Sequence, residues 1–452
     1  MSSNTQDNLC GRCMEEPAIV KTRKELFCKE CFSKFILLKQ RRTLISDKDK
    51  FLEPIMKVTY KTPNDDKLLL ALSFGKSSLI VLQNLIEYLN NQYNQQKKTG
   101  FILETITVVE DDEEHKKVEQ ILKRLQQLPE FKILNNDCIK FKIININTYI
   151  NASKSLKNFS LNALTSKLSI NAIGEDEKDT TIQSILLDSF GTQFKTLSSK
   201  EDFKTLAVNN VIYQIYEKFG YKGLIYGSSM SKLATNIVKN VVIGRGEVIA
   251  KDLDNIFYPL TDVFYSEVEA YYDLIIQEKD ILLNPNEISN SNNIFINETK
   301  VNNTKVNKQT KTISDITMEY FNTIEGDYAN VISTVVKTGL KLKDIHADVE
   351  ESFTNCKVCN TKISNNKDSA EWIKNITVMQ PEQIQNEAEQ QNYNNWQAVN
   401  INNHDNFDDQ VVENGLCYGC LVTLNTASKK NIHWYDVKNN KILDDILNEF
   451  EL

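Results

Sequence analysis

A chain of 452 residues, 41 % hydrophobic and 25 % charged, has an ordinary globular composition and length enough for two or three domains. Its formal net charge of −8 argues against a protein that coats nucleic acid with its whole surface. No apolar run approaches membrane-spanning length and residues 1–8 lack a signal-peptide profile, so no membrane contact and a cytoplasmic address are expected.

Residues 1–50 read as a zinc-ribbon-like module with a basic helix. Cys10 and Cys13 form one Cys-x-x-Cys knuckle, residues 18–20 a short strand, and Cys28 and Cys31 a second knuckle. Two residues between thiols let one tight turn offer two thiolates, and two such turns complete a tetrahedral sulfur site. In a reducing compartment paired cysteines favour metal over disulfides; the bland alternative is a coincidence of free thiols. A helix follows, with Phe32, Phe35, Ile36 and Leu38 at helical spacing and Lys39, Arg41 and Arg42 near its end. Between positions 21 and 50, ten Lys/Arg face four Asp/Glu, a local excess of six. That suits either a phosphate-facing surface or a solvated helix face.

Residues 60–280 read as an α/β core. Residues 67–73 form a continuous apolar run suited to a buried parallel strand, followed by a turn at Gly75. A helix then carries Leu79, Leu82, Leu85, Ile86 and Leu89. Strands are expected at 101–109, 138–146 and 223–226, and helices at 113–128, 182–190, 203–219 and 231–243. Such alternation implies a parallel sheet with helices on both faces. Its cysteine, Cys138, reads as a small buried hydrophobe rather than a nucleophile.

Three stretches, 151–179, 284–311 and 380–410, are too polar to form a core. The first is an insertion in the core. The second belongs to a linker and helical segment, 281–345. The third sits in a C-terminal four-cysteine module, 346–452, between Cys356/Cys359 and Cys417/Cys420. With 57 residues between those pairs, one shared site is a weaker inference than at the N-terminus. His346, His404 and His433 are spare ligands at most, and Trp372, Trp396 and Trp434 suit packing or loop anchoring better than base stacking.

The segment Leu72-Ser73-Phe74-Gly75-Lys76-Ser77-Ser78 resembles the phosphate loop of the PP-loop, or N-type, ATP pyrophosphatases, which use Ser-Gly-Gly-x-Asp-Ser. There, glycines let backbone N–H groups approach phosphates at a helix N-terminus. Ser73, Gly75 and Ser78 are kept. Phe74 replaces the first glycine, where its side chain should crowd a phosphate, and Ser77 replaces the aspartate. Downstream, residues 227–234 stand where that family has Gly-His-Asn-x-Asp-Asp-x-Ala; Gly227 and Ala234 match, while Ser231 and Lys232 replace the carboxylates. Pro259-Leu260 and Glu267-Val268 match a later Arg-Pro-Leu and Lys-Glu-Ile segment, with Tyr258 and Ser266 in place of the Arg and Lys. Ser73, Gly75, Ser78 and Gly227 are thus a vestigial nucleotide loop.

With Gly244-Arg245-Gly246 and the closing Leu416-Cys417-Tyr418-Gly419-Cys420, this order resembles the second subunits of the eukaryotic cytosolic wobble-uridine thiolation complex. The resemblance covers most of the chain. It implies a catalytic PP-loop partner in a heterodimer that adenylates the uridine of tRNA and takes sulfur from a thiocarboxylated ubiquitin-related modifier. It leaves this chain as a non-catalytic subunit that is not expected to bind ATP, with two structural zinc ions and with Lys39, Arg41 and Arg42 as tRNA contacts. An active ATP-dependent tRNA sulfurtransferase is the alternative. An unrelated zinc-ribbon scaffold explains the residual loop motifs poorly.

Overall fold

The computed structural model describes residues 9–45, 53–58, 66–109, 112–133, 138–146, 196–249, 255–276, 311–342, 353–356, 359, 362–364 and 417–425, with single positions between 387 and 394. The helix expected at 182–190, the three tryptophans, His346, His404 and His433 lie outside the described residues, as do almost all positions of the three polar stretches. The chain divides into two compact units. The first comprises Met1–Tyr149, Ala207–Lys239 and Leu253–Lys341; the second comprises Ile150–Leu206, Asn240–Asp252 and Leu342–Leu452.

The first unit is built on a five-stranded parallel sheet: β3 (Lys67–Ala71), β4 (Ile102–Val109), β5 (Ile139–Asn145), β6 (Gly223–Tyr226) and β7 (Ile256–Phe257). The order is β5-β4-β3-β6-β7. The chain therefore winds outward from β3 in one direction, then restarts at β6 on the other side. In open parallel sheets, ligands bind beyond the strand C-termini where the winding reverses. Here that switch point lies between β3 and β6, and the loop of Ser73 and the turn of Gly227 both leave the sheet there.

Sequence explains the central position of β3. Leu68, Leu69 and Leu70 are fully buried, as a strand covered on both faces requires. Helix α3 (Lys76–Gln96) follows, burying Leu79, Leu82, Leu85, Ile86 and Leu89, the stripe its periodicity predicts. It ends where Lys97 turns left-handed (φ 56°) and donates its N–H to the Tyr93 carbonyl. Helix α4 (Asp112–Gln127) stops before Pro129, which opens the short α5 (Pro129–Ile133). Near the strand starts, buried Glu104 accepts from Lys142 at 2.8 Å and Tyr221 at 2.6 Å. Burial acts to raise its pKa, but these donors and Lys67 hold it below the ordinary carboxylate value.

The N-terminal module shares this core. Strands β1 (Val20–Thr22) and β2 (Glu25–Phe27) form a hairpin, and α1 (Lys29–Ile45) follows the second knuckle. Phe27, Phe32, Ile36 and Leu44 are buried in one apolar cluster with Leu68, Leu85 and Val268. Met56, at the end of the short α2 (Glu53–Met56), joins the same cluster. Each buried side chain of this size contributes about 2 kcal/mol. Leu38, expected on the same stripe, is instead 60 % exposed. Position 38 lies two residues past Ile36, about 200° around the helix, so it faces solvent.

Polar contacts fix the docking. Arg23 clamps the buried Glu267 through Nε at 2.7 Å and Nη2 at 2.9 Å, and Thr22 Oγ1 adds a third donor at 3.0 Å. Glu267 opens the helix α9 (Tyr265–Tyr271) and also accepts from the Phe264 N–H at 2.9 Å. The guanidinium of Arg23 lies 4.4 Å from the Phe264 ring. Deeper in, Asn84 of α3 links Gln40 of α1 (2.6 Å) to Tyr271 of α9 (3.1 Å).

Two further helices complete the first unit. α10 (Ile313–Ile324) is capped by Thr312, and α11 (Ala329–Gly339) follows. Phe321, Ile332 and Val336 pack with Met230, Leu233 and Ala234 of α7 (Met230–Val242). In the second unit lie the first turns of α6 (Leu197–Lys218), the turn after Val242 with α8 (Gly246–Ile249), the hairpin β8–β9 (Phe353–Asn355, Lys362–Ser364) and α12 (Tyr418–Asn425).

Candidate functional site

The structure brings together each cysteine quartet the spacing suggests. Cys10, Cys13, Cys28 and Cys31 offer sulfurs all within 4.8 Å of one another, and so do Cys356, Cys359, Cys417 and Cys420. The 57-residue gap in the second quartet does not prevent one shared centre.

The N-terminal centre is made by backbone turns. The Cys10 carbonyl accepts the Met14 N–H at 2.9 Å, closing the first knuckle, with Met14 left-handed at φ 59°. The Gly11 N–H donates to the Leu26 carbonyl at 2.8 Å, which ties that knuckle to β2. The Cys28 carbonyl accepts the Phe32 N–H at 2.9 Å, so the second knuckle is the first turn of α1. Crowding pushes the thiols apart in proton affinity. Burial works to raise the Cys10 pKa, yet backbone N–H groups of Cys13, Cys28 and Arg12 bring it down to about 6. Cys31, facing the Cys28 sulfur first and then burial, is pushed up to about 12. A divalent cation relieves this by taking all four as thiolates. The donor set, four cysteine sulfurs in closed geometry, fits a structural zinc ion, with no open position for substrate.

The C-terminal centre is more enclosed. Cys356, Cys417 and Cys420 are buried. The Cys417 N–H points at the Cys356 sulfur (3.3 Å) and the Cys420 N–H at the Cys417 sulfur (3.4 Å). Cys356, hydrogen-bonded first by Cys359 and then by Cys417 and Cys420, is held well below the usual thiol value; the same contacts drive Cys420 well above it. Beside this centre lies Arg245 of the Gly-Arg-Gly turn, 2 % exposed. Its Nη1 donates to Asp202 at 2.6 Å and its Nη2 to Thr423 at 3.0 Å; Thr423 in turn donates to Asp202 at 2.8 Å. A Cβ on Gly419 would run into the stem of Arg245, so only glycine fits between the cysteines of that knuckle.

At the switch point, Phe74 keeps the left-handed backbone (φ 55°) where the resembling loops have glycine. Such a conformation costs a bulky residue about 1–2 kcal/mol. Its ring lies in the apolar core cluster, which offsets the strain and turns it away from solvent. Ser73 and Ser78 hydroxyls lie 3.3 Å apart, and Ser78 Oγ donates to the Gly75 carbonyl at 3.0 Å. Gly227 sits against this loop: a Cβ there would meet Ser78 Cα at 2.5 Å. Ser73, Gly75, Ser78 and Gly227 therefore adjoin one another.

The carboxylates are missing from this group. Ser77 is buried and its Oγ has no partner among the described residues. Lys76 pairs with Glu269 at 3.0 Å. Ser231 donates to Glu325 at 2.9 Å, and Ser266 meets the same carboxylate through its N–H at 3.3 Å and its hydroxyl. Glu325, just past the end of α10, thus joins two positions that read from sequence as lost charges.

The three expected tRNA contacts separate. Arg41 and Arg42 are exposed on α1. Lys39 is turned inward: Nζ donates to the Asp262 carbonyl at 2.8 Å and lies 4.4 Å from the Phe35 ring. Burial brings its pKa down to about 8, despite Glu267 nearby. Its charge holds the module to the core, a role that a count of basic residues misses. Cys138 is half-buried, packs against the core and faces Thr99 Oγ1 at 3.6 Å.

Known proteins resemble the whole chain. The family model described as cytoplasmic tRNA 2-thiolation protein 2 matches residues 312–422, from the cap of α10 into α12. Proteins of that name from Kluyveromyces lactis and Vanderwaltozyma polyspora are each 31 % identical, covering 98 % of this chain and 98 % and 97 % of their own length. The Saccharomyces cerevisiae protein of that name is 29 % identical, with 98 % of both chains covered. Among solved structures, a U34-tRNA thiolase, NcsA from Methanococcus maripaludis with its [4Fe-4S] cluster, is 16 % identical at a TM-score of 0.45, covering 82 % of this chain and 98 % of its own. With its α/β core, two four-cysteine groups and end-to-end similarity to these relatives, the chain belongs to the cytoplasmic tRNA 2-thiolation protein 2 family.

Proposed function

We propose that this chain serves 2-thiolation of the wobble uridine of cytoplasmic tRNAs as the non-catalytic subunit of a heterodimer. Its partner is a PP-loop subunit with an intact loop, which adenylates the uridine and takes sulfur from a thiocarboxylated ubiquitin-related modifier. This chain holds tRNA and gives structural support, with one zinc ion in each cysteine quartet. Family membership supports the pathway. The observation that carries the non-catalytic reading is the chemistry of the switch point: hydroxyls at Ser77 and Ser231 where a nucleotide's magnesium needs carboxylates.

The test is pyrophosphate release from ATP by the isolated chain with substrate tRNA. The expected outcome is release no faster than a no-protein control. Turnover that disappears on changing Ser73→Ala or Ser78→Ala would instead make the chain an active sulfurtransferase.

A further inference from the structure

The proposed role makes no use of Arg245, yet among the described charged residues only Glu104 and Glu267 are as enclosed. Two of its guanidinium nitrogens are fixed by Asp202 and Thr423, and all three residues are buried. Its Nε, also buried, has no hydrogen-bond partner among the described residues. That nitrogen would lie 3.0 Å from a Cβ on Gly419, the residue between Cys417 and Cys420. A buried N–H without an acceptor is destabilising and needs a reason.

We propose that Arg245 is a positioning residue of the C-terminal four-cysteine centre, held by Asp202 and Thr423 so that its charge lowers the reactivity of the metal-bound thiolates of Cys417 and Cys420. This rests on the reading that the quartet holds zinc. The sign follows from the metal. A cation beside a free thiol raises the thiolate fraction and so its reactivity. A zinc-bound thiolate is already deprotonated, and a neighbouring cation or N–H then only withdraws electron density from sulfur, which weakens it as a nucleophile. A protein that works beside sulfur-transfer chemistry needs structural thiolates that do not exchange. Asp202 and Thr423 fix the guanidinium in the way that outer partners elsewhere orient the surroundings of a metal site.

The experiment treats native, full-length, zinc-quantified protein with iodoacetamide. Each reacting thiolate displaces iodide to form a thioether, and the centre releases zinc to a chromophoric chelator. Mass spectrometry assigns the rate to each cysteine. In the wild type, Cys417 and Cys420 are expected to react last, after the half-exposed Cys13 and Cys31. Arg245→Met should speed alkylation of Cys417 and Cys420 by about tenfold or more. Zinc content, circular dichroism and the N-terminal rates should stay unchanged. Gly419→Ala, which displaces the arginine stem and leaves its charge in the chain, should act in the same direction. If Arg245→Met does not fold, Gly419→Ala and the wild-type order decide. Zinc-loaded variants with unaltered Cys417 and Cys420 rates would overturn the role of Arg245, as would a wild type in which these two react first. Absence of metal from the C-terminal quartet alone would overturn the zinc reading on which it rests.

Discussion

Native, reduced protein is expected to carry two zinc ions per chain, and Cys28→Ser or Cys356→Ser to carry one. Each quartet supplies four sulfurs within 4.8 Å of one another, a complete tetrahedral set. Removing one thiol leaves three ligands and an exposed coordination position. Zinc binding in small modules of this kind contributes roughly 10–16 kcal/mol of apparent folding free energy, so the affected module should not persist without it. The two variants should differ in reach. Cys28 adjoins Phe27 and stands one turn before Phe32, both in the main apolar cluster with the sheet. Losing the N-terminal ion should therefore lower the thermal midpoint of the first unit as a whole. Cys356→Ser should act on the second unit. Elemental analysis combined with thermal unfolding checks both. Iron in place of zinc, or full metal content in the variants, would refute the assignment.

Charge reversal of Lys34, Arg41 and Arg42 to Glu should weaken tRNA binding and flatten its salt dependence. The three lie at helical spacing on the outer side of α1, all exposed, with Leu38 between them. The 3.9 Å pair of Lys34 with Glu30 is solvent-exposed and offers little competition. Three lost phosphate contacts should reduce the slope of log affinity against log salt by roughly 2–3. Such contacts position the RNA without reading its sequence, so all bound tRNAs should lose affinity alike. Lys39 stays out of this set, because Lys39→Glu would place a carboxylate against the Asp262 carbonyl and unseat the module. Filter binding across a salt series decides; unchanged affinity and slope would leave the helix as a solvated face.

Local chemistry made much of the fold legible. The run at 67–73 became the central strand because three consecutive leucines suit burial on both faces. The strand Gly223–Tyr226 and the stop before Pro129 followed from glycine and proline. The cysteine centres followed from spacing. The short strand expected at 18–20 lies at Val20–Thr22, and the hairpin it forms is not foreseen, because the turn is Arg23-Lys24, both left-handed (φ 50° and 69°), where turn chemistry favours Asn or Gly. The side-chain clamps were not legible at all. Arg23 meets Glu267 across 244 positions, Ser231 meets Glu325 across 94, and Arg245 meets Thr423 across 178. Each uses residue types that elsewhere face water, and no periodic pattern marks a buried charge whose partner lies so far away. The Gly-Arg-Gly turn was visible as a motif; what its arginine touches was not.

The proposed division of labour between this chain and a PP-loop partner is tested most directly by reconstituted wobble-uridine thiolation. The assay contains this chain, an intact PP-loop partner, substrate tRNA, ATP and the thiocarboxylated modifier, and thiolated tRNA is read by its retardation in mercury-containing gels. With Ser73→Ala and Ser78→Ala together in this chain, thiolation should proceed at the wild-type rate. The corresponding loop changes in the partner should abolish it. Loss of thiolation from the Ser73/Ser78 variant, while it remains folded, zinc-loaded and bound to partner and tRNA, would contradict the account and return the nucleotide chemistry to this chain.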